Sequence, residues 1–338
     1  MIALRARKRR SRAPRLIQSF NGPCTHWPAS RQEKGIIMQR RMALGLTMAL
    51  LLMAATATFA RGGDDKAQGL IAQARVALGG EAKLKAVQSL TASGKSRTVV
   101  KTDDGDEQVE SEIELNYLLP DKYMRAETSS MGGGMAEITR ISGINGDQVF
   151  RDARSTGGGM VMIRNPPDDP NARAAAVKNM REEYARQLLV WLLATPESFP
   201  VEFTYAGEAE SPEGKADAID VKGPDGFAAR LFLDKQSHRP TLLSYRGPSP
   251  RGGMMMRRLQ GNPEDADKHK KEAEQMTSRP LPPPEMADIQ LFFADYRDES
   301  GITLPHRITR SVNGQLFEEW ELAKFKINPP LKADKFKK

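Results

Sequence analysis

The chain has 338 residues, with 51 Lys and Arg against 43 Asp and Glu and a formal net charge of +8. Residues 1–60 hold 11 basic residues and one acidic residue, Glu33, so they carry +10 and the remainder from Arg61 carries −2. That balance excludes the basic-protein argument for nucleic acid or an anionic membrane as partner of the main body. The single cysteine, Cys24, leaves that body without a disulfide, thiolate chemistry or a cysteine metal site.

Residues 1–37 show no apolar period, and Glu33-Lys34-Gly35 reads back to a purine-rich string just upstream of Met38. They are expected to be an unstructured extension translated from an upstream start; a basic nucleic-acid arm is the competing reading. Met38-Gln39-Arg40-Arg41 leads into an uncharged run that ends in Thr58-Phe59-Ala60. Two arginines, an apolar stretch of about a dozen residues and small residues before a polar segment make 38–60 a secretory signal peptide, cleaved after Ala60. An uncleaved anchor is the alternative, but the strongly apolar part is shorter than the ~18–20 residues of a membrane span. The expected location is the periplasm, with no integral membrane segment after cleavage.

Residues 61–338 are expected to form a single domain. Asp64 to Leu78 reads as a helix, capped by Asp64 and Asp65, with Leu70, Ile71, Ala74 and Leu78 at helical spacing and Gly79-Gly80 as its stop. From Ser89 the texture is strand. Alternating runs recur at 122–128, 137–141, 148–152, 201–206, 217–222, 227–234, 241–245, 289–297, 303–312 and 315–325, separated by turn pairs such as Asn145-Gly146 and Asn313-Gly314. One long helix, Asn171 to Thr195, interrupts them, apolar on all sides from Leu188 to Ala194. Residues 247–288 read as an insertion loop. The fold class is therefore α+β: a strongly curved antiparallel sheet of about 10–12 strands, an incomplete barrel, with an N-terminal helix and a long helix on its concave face.

No catalytic constellation stands out, and no cofactor fingerprint. His238, His269 and His306 form no pair at metal-ligand spacing. Three Gly/Met tracts are unusual: Met131 to Met135, Gly157 to Met162 and Gly252 to Met256. Glycine gives backbone freedom and methionine a pliable apolar contact, so Met131, Met135, Met160, Met162, Met254, Met255 and Met256 are candidates for a flexible lid. Hairpin loops that merely pack on neighbouring strands, and Cu(I) capture by thioethers, are the other readings. The candidate apolar lining is Met180, Tyr184, Leu188 and Trp191 from the long helix, with Phe203, Tyr205, Leu231, Leu291, Phe293 and Trp320 from the strands.

The stretch Ala77-Leu78-Gly79-Gly80-Glu81 through Gln88-Ser89-Leu90, together with Phe293-Ala294-Asp295-Tyr296 through Leu304-Pro305-His306 and Asn328-Pro329-Pro330-Leu331, resembles envelope proteins of the outer-membrane lipoprotein-sorting (LolA/LolB-like) superfamily. The resemblance implies an incomplete antiparallel barrel lined with apolar residues and plugged by helices. It also implies non-catalytic binding of an apolar ligand such as a lipid acyl chain or lipoprotein. A protein–protein interaction or sensor module in the envelope, using the sheet and the Gly/Met loops, is the alternative.

Overall fold

The computed structural model describes residues 64–102, 105–131, 136–156, 169–211, 214–250 and 285–337, all within the compact unit Gly63–Lys338. Helix α1 (Asp65–Ala77) starts where the Asp64 carboxylate accepts from the Lys66 amide at 3.1 Å. It buries Ala67, Ile71 and Ala74 on one face. Gly79 and Gly80 then take φ of +126° and +97°. At Gly79 the need for glycine is also steric, because a Cβ there would meet the Gly301 carbonyl oxygen at 2.3 Å. A short helix α2 (Glu81–Lys85) follows.

Twelve strands make one antiparallel sheet: β1 (Ser89–Thr102), β2 (Gly105–Leu118), β3 (Lys122–Met131), β4 (Ala136–Asn145), β5 (Gln148–Ser155), β6 (Glu202–Ser211), β7 (Gly214–Lys222), β8 (Ala228–Asp234), β9 (Pro240–Pro248), β10 (Met286–Glu299), β11 (Ile302–Val312) and β12 (Gln315–Ile327). Their order is β5-β4-β3-β2-β1-β12-β11-β10-β9-β8-β7-β6. The sheet is open, as the alternating patterns predict. Asn313 and Gly314 sit at φ of +49° and +77°, the positive pair that a tight hairpin between β11 and β12 requires. Strands β9 and β10 pair directly, with Met286 opposite Pro248.

The order explains the position of the long helix. The chain meanders outward from β1 to one edge at β5, then re-enters the sheet at the opposite edge, β6. Helix α3 (Pro170–Leu192) lies in the segment between those two edges. It is therefore carried across the sheet from one margin to the other. Asp169 caps its start, accepting from the Asn171 and Ala172 amides at 3.1 and 3.2 Å, with Pro170 in the first turn. The helix stops three residues before the expected Thr195, because Leu193 turns left-handed at φ +50°. Arg75 of α1 donates to the freed Leu193 carbonyl at 2.8 and 3.2 Å, placing a cation at the negative end of α3.

At the sheet centre the two ends of the domain pair, β1 against β12, and the register shifts at Ser93/Gly94. A Cβ on Gly94 would lie 2.0 Å from the Glu321 carbonyl oxygen, which is backbone and has no room to give. Gly94→Ala is expected to lower unfolding free energy by about 1–3 kcal/mol, read from the urea midpoint, through overpacking.

Candidate functional site

The inner face of the sheet is built by the alternate residues of each strand. Ile113, Leu115 and Tyr117 of β2, Leu291 and Phe293 of β10, Leu304 and Ile308 of β11, and Trp320 and Leu322 of β12 are all buried in one core. The C-terminal half of α3 lies in that core, with every residue from Tyr184 to Leu192 buried. Side chains of this one helix reach both halves of the sheet. Gln187 donates to the Tyr123 hydroxyl at 3.1 Å on β3, and Arg186 lies 4.0 Å from the Tyr245 ring centre on β9. A single helix touches strands six places apart only if the sheet curls around it.

The predicted lining residues are placed as follows. Tyr184, Leu188, Trp191, Phe203, Leu231, Leu291, Phe293 and Trp320 are buried in the main core, and Met180 is partly buried against it. Tyr205 is likewise partly buried against that core, with its ring under the Lys66 ammonium of α1 at 3.5 Å. Met131 ends β3. The Met131 side chain and Met135, Met160, Met162, Met254, Met255 and Met256 lie outside the described residues.

A residual cavity of about 10 Å³ lies among Glu183, Gln187, Trp191, Leu291, Arg310 and Trp320. That is the lower limit for one water molecule. A second cavity of about 250 Å³ lies at the end of the trough, between the β2–β3 and β4–β5 turns, α3 and the β7–β8 connection. It is rimmed by charge, including Asp121, Asp147, Lys178, Arg181 and Glu182. It falls just below the ~300–1,000 Å³ of ordinary ligand pockets.

What the periodicity reading missed is a chain of polar groups on the inner face. Trp191 donates to the Tyr117 hydroxyl at 3.1 Å, and Tyr117 donates to the Gln187 side-chain carbonyl. Gln187 donates to Tyr123 and, at 3.0 Å, to Glu183. Glu183 accepts from Arg310 of β11 at 2.9 Å. Arg310 lies 3.6 Å from Glu318 of β12, which also accepts from Arg125 of β3 and, at 3.2 Å, from the Ser96 hydroxyl. Arg125 lies 4.9 Å from the Trp320 ring centre and Arg310 5.8 Å, so both guanidiniums are within cation–π reach of the one ring. The signal was present in the sequence: Glu318 occupies the same phase as Trp320 and Leu322, and Arg310 the same phase as Ile308. His306 is likewise an inner-face residue, buried with its Nδ1 2.6 Å from the Leu322 carbonyl and its Nε2 3.2 Å from Glu299.

Burial raises the Glu183 carboxyl, but Arg310, Arg186 and the Gln187 amide outweigh it, and its pKa lies below the ordinary value of 4.5. Glu318 is lowered in the same way: burial opposes, and Arg125 and Arg310 prevail. A carboxyl depressed on folding adds stability that is present above its unfolded pKa and is lost as pH falls through its folded pKa. The stability gap between wild type and Glu183→Gln is therefore expected to be constant near neutral pH and to shrink below about pH 4.5, as measured by urea unfolding across pH.

Solved structures of the lipoprotein-sorting superfamily resemble this fold. One is an outer membrane lipoprotein-sorting protein domain from Vibrio parahaemolyticus, 11% identical, covering 80% of this chain and 96% of its own, with a TM-score of 0.40. Another is a LolA superfamily protein from Nitrosomonas europaea, 8% identical, covering 80% and 97%, with a TM-score of 0.40. A third is a DUF1329 family protein from Desulfovibrio piger, 7% identical, covering 80% and 97%, with a TM-score of 0.39. No protein-family model matches the chain, and no curated protein matches it in sequence. Identities this low concern the fold alone, and superpositions this loose carry no argument about the site. Among the described residues no helix is long and apolar enough to cross a membrane.

Proposed function

We propose that this protein is an exported, periplasmic carrier that holds an apolar ligand, the acyl chain of a lipid or lipoprotein, in the trough that α3 occupies. The observation that supports this reading is that one helix, strung between the two sheet edges, supplies the filling of an otherwise open apolar half-barrel. The energetics allow an exchange. Burying an acyl chain of about 14–16 methylenes releases roughly 11–13 kcal/mol. The buried side chains of Leu188, Leu189, Val190, Trp191 and Leu192 together account for about 8–15 kcal/mol on the same scale. The two sums are comparable, so α3 and an acyl chain compete for one surface without either being overwhelmingly favoured.

Native mass spectrometry of the protein recovered from the periplasmic fraction tests this. A co-purified or added lipid retained at one equivalent is the expected result; no retention of any lipid contradicts the carrier reading. The second reading, an envelope interaction module, is favoured by one feature. The edge strands β5 and β6 each pair with one neighbouring strand only among the described residues, the geometry that strand addition uses, although the Tyr205 amide of β6 is already taken by the Asp64 carboxylate.

A further inference from the structure

On the outer face of the sheet, opposite α3, the chain returns after β12 and lies across four strands. Asn328 starts the return. Its side chain accepts from the Gln88 and Ser89 amides at 2.7 and 3.2 Å and donates to the Ala86 carbonyl at 3.0 Å. Residues 329–337 then meet a row of cross-strand partners: Asn116 of β2, Met124 of β3, Gly143 of β4 and Phe150 of β5. Their sequence neighbours Tyr117, Tyr123 and Ile144 point the other way, into the main core. Lys335 donates to Asn116 at 3.1 Å and to Glu114 at 2.8 Å. Phe336 is fully buried in a second, separate cluster with Met124 and Phe150, flanked by Leu118, Ile141 and Leu331. Gly143 lets the Phe150 ring come this close to β4, because a Cβ there would stand 2.5 Å from it.

The margin beneath this segment is thinly anchored. Strands β4 and β5 together bury only Gly143, Ile144 and Phe150, whereas β10 alone buries Ala287, Ile289, Leu291 and Phe293. Ile144 is the inner anchor of the margin, with its cross-strand partner Val149 partly buried against the same core. Phe150 is the outer anchor, and its cover is Phe336. Segments with few buried contacts are the first to open locally. Around Phe336, residues Lys332, Ala333, Asp334, Lys335 and Lys337 are all exposed. The Lys335–Glu114 pair is exposed as well and so is screened by solvent. Phe336 is therefore the main hold between the segment and the margin. The margin also meets the long helix, since Arg181 of α3 pairs with Asp147 in the β4–β5 turn.

We propose that residues 329–337 are a latch with Phe336 as its catch, and that the β4–β5 margin it holds is the wall of the trough that swings out when cargo exchanges. The latch stands on the packing alone; the exchange of cargo rests on the carrier reading. Release of Phe336 leaves Ile144 and Val149 as the apolar hold on the margin, which then opens more often while the core between α3 and β8–β12 stays closed. A single aromatic anchor suits a reversible catch. One side chain leaving one pocket frees the margin, and the short tether from Asn328 returns it at high effective concentration.

Hydrogen exchange followed by mass spectrometry on the wild-type protein and Phe336→Ala tests the latch. Release of a dansyl-labelled fatty acid into excess palmitate tests the wall. Phe336 lies outside the main core, so the variant keeps that core. In Phe336→Ala, amides of residues 136–155 are expected to exchange about tenfold or more faster, the factor for losing one buried aromatic side chain, with β8–β11 unchanged. The fatty acid is expected to leave faster by a similar factor. Phe336→Leu refills the pocket and is expected to bring both rates back toward wild type. Equal acceleration in β4–β5 and β8–β11 overturns the latch, because Phe336 would then act on the whole domain; unchanged exchange at 136–155 overturns it too. Faster exchange at 136–155 with unaltered fatty acid release overturns the moving wall and leaves the carrier reading standing. Wild-type protein that takes up no fatty acid overturns the carrier reading and the moving wall with it.

Discussion

Glu318→Ala is expected to lower unfolding free energy by about 3–5 kcal/mol, the range for removing one partner of a buried ion pair. The side chain is 3% exposed and sits between Arg125 and Arg310, themselves 17% and 12% exposed. Its removal leaves both guanidiniums in a low-dielectric wall with only Glu127 and Glu183 to answer them, and strands the Ser96 hydroxyl. The contrast is Glu321, three residues along the same strand. It pairs with Arg97 on the outer face and is 52% exposed. Glu321→Ala is expected to change stability by no more than about 1 kcal/mol, because exposed pairs are screened. Urea unfolding followed by tryptophan fluorescence reads both. Equal losses at the two positions would show that the inner cluster is not desolvated in the way described.

Trp191→Ala carries the second large effect. The indole is fully buried, meets Phe325 edge-on with ring centres 5.6 Å apart, and donates to Tyr117. Truncation to alanine opens a cavity and is expected to lower stability by about 3–5 kcal/mol. The carrier reading adds a less usual expectation. Trp191 belongs to the helix that the ligand displaces, so weakening its seat raises the fraction of the ligand-competent form and with it the apparent affinity for an acyl chain. The same substitution is then expected to lower the urea midpoint and tighten lipid binding. A variant that loses stability and lipid binding together places Trp191 in the ligand's own wall instead.

Much of this architecture was legible in local pattern. Asp64 is a capping residue where a cap was expected, Gly79-Gly80 stop α1, and Asn313-Gly314 make the β11–β12 hairpin. Alternation found the strands because one face of each is buried, and a period of two reports that directly. Other features depend on partners far away in the chain. The pairing of β1 with β12, which sets the sheet order and sends α3 across the trough, joins residues more than 200 positions apart and leaves no local trace. The polar chain was missed for a related reason. Phase placed Glu318 and Arg310 on the inner face, but an inward charge reads as a break in an apolar pattern until its partner is known, and here the partners come from β3, β11, β12 and α3. The end of α3 at Leu192 was also beyond periodicity, since Leu193 is as apolar as its neighbours and only its left-handed backbone stops the helix.

The central claim is that an acyl chain takes the place of α3 against the sheet. The chain has three tryptophans, Trp27, Trp191 and Trp320. In a Trp27→Phe, Trp191→Phe background the remaining indole is Trp320, fixed on β12 at the floor of the trough and 4% exposed. Titration with a phospholipid brominated along its acyl chain, against the same lipid unbrominated, asks whether the chain reaches that floor. The account predicts saturable quenching of Trp320 by the brominated lipid alone. Binding of the lipid with Trp320 unquenched would contradict it, because the chain would then lie elsewhere and α3 would still be in place.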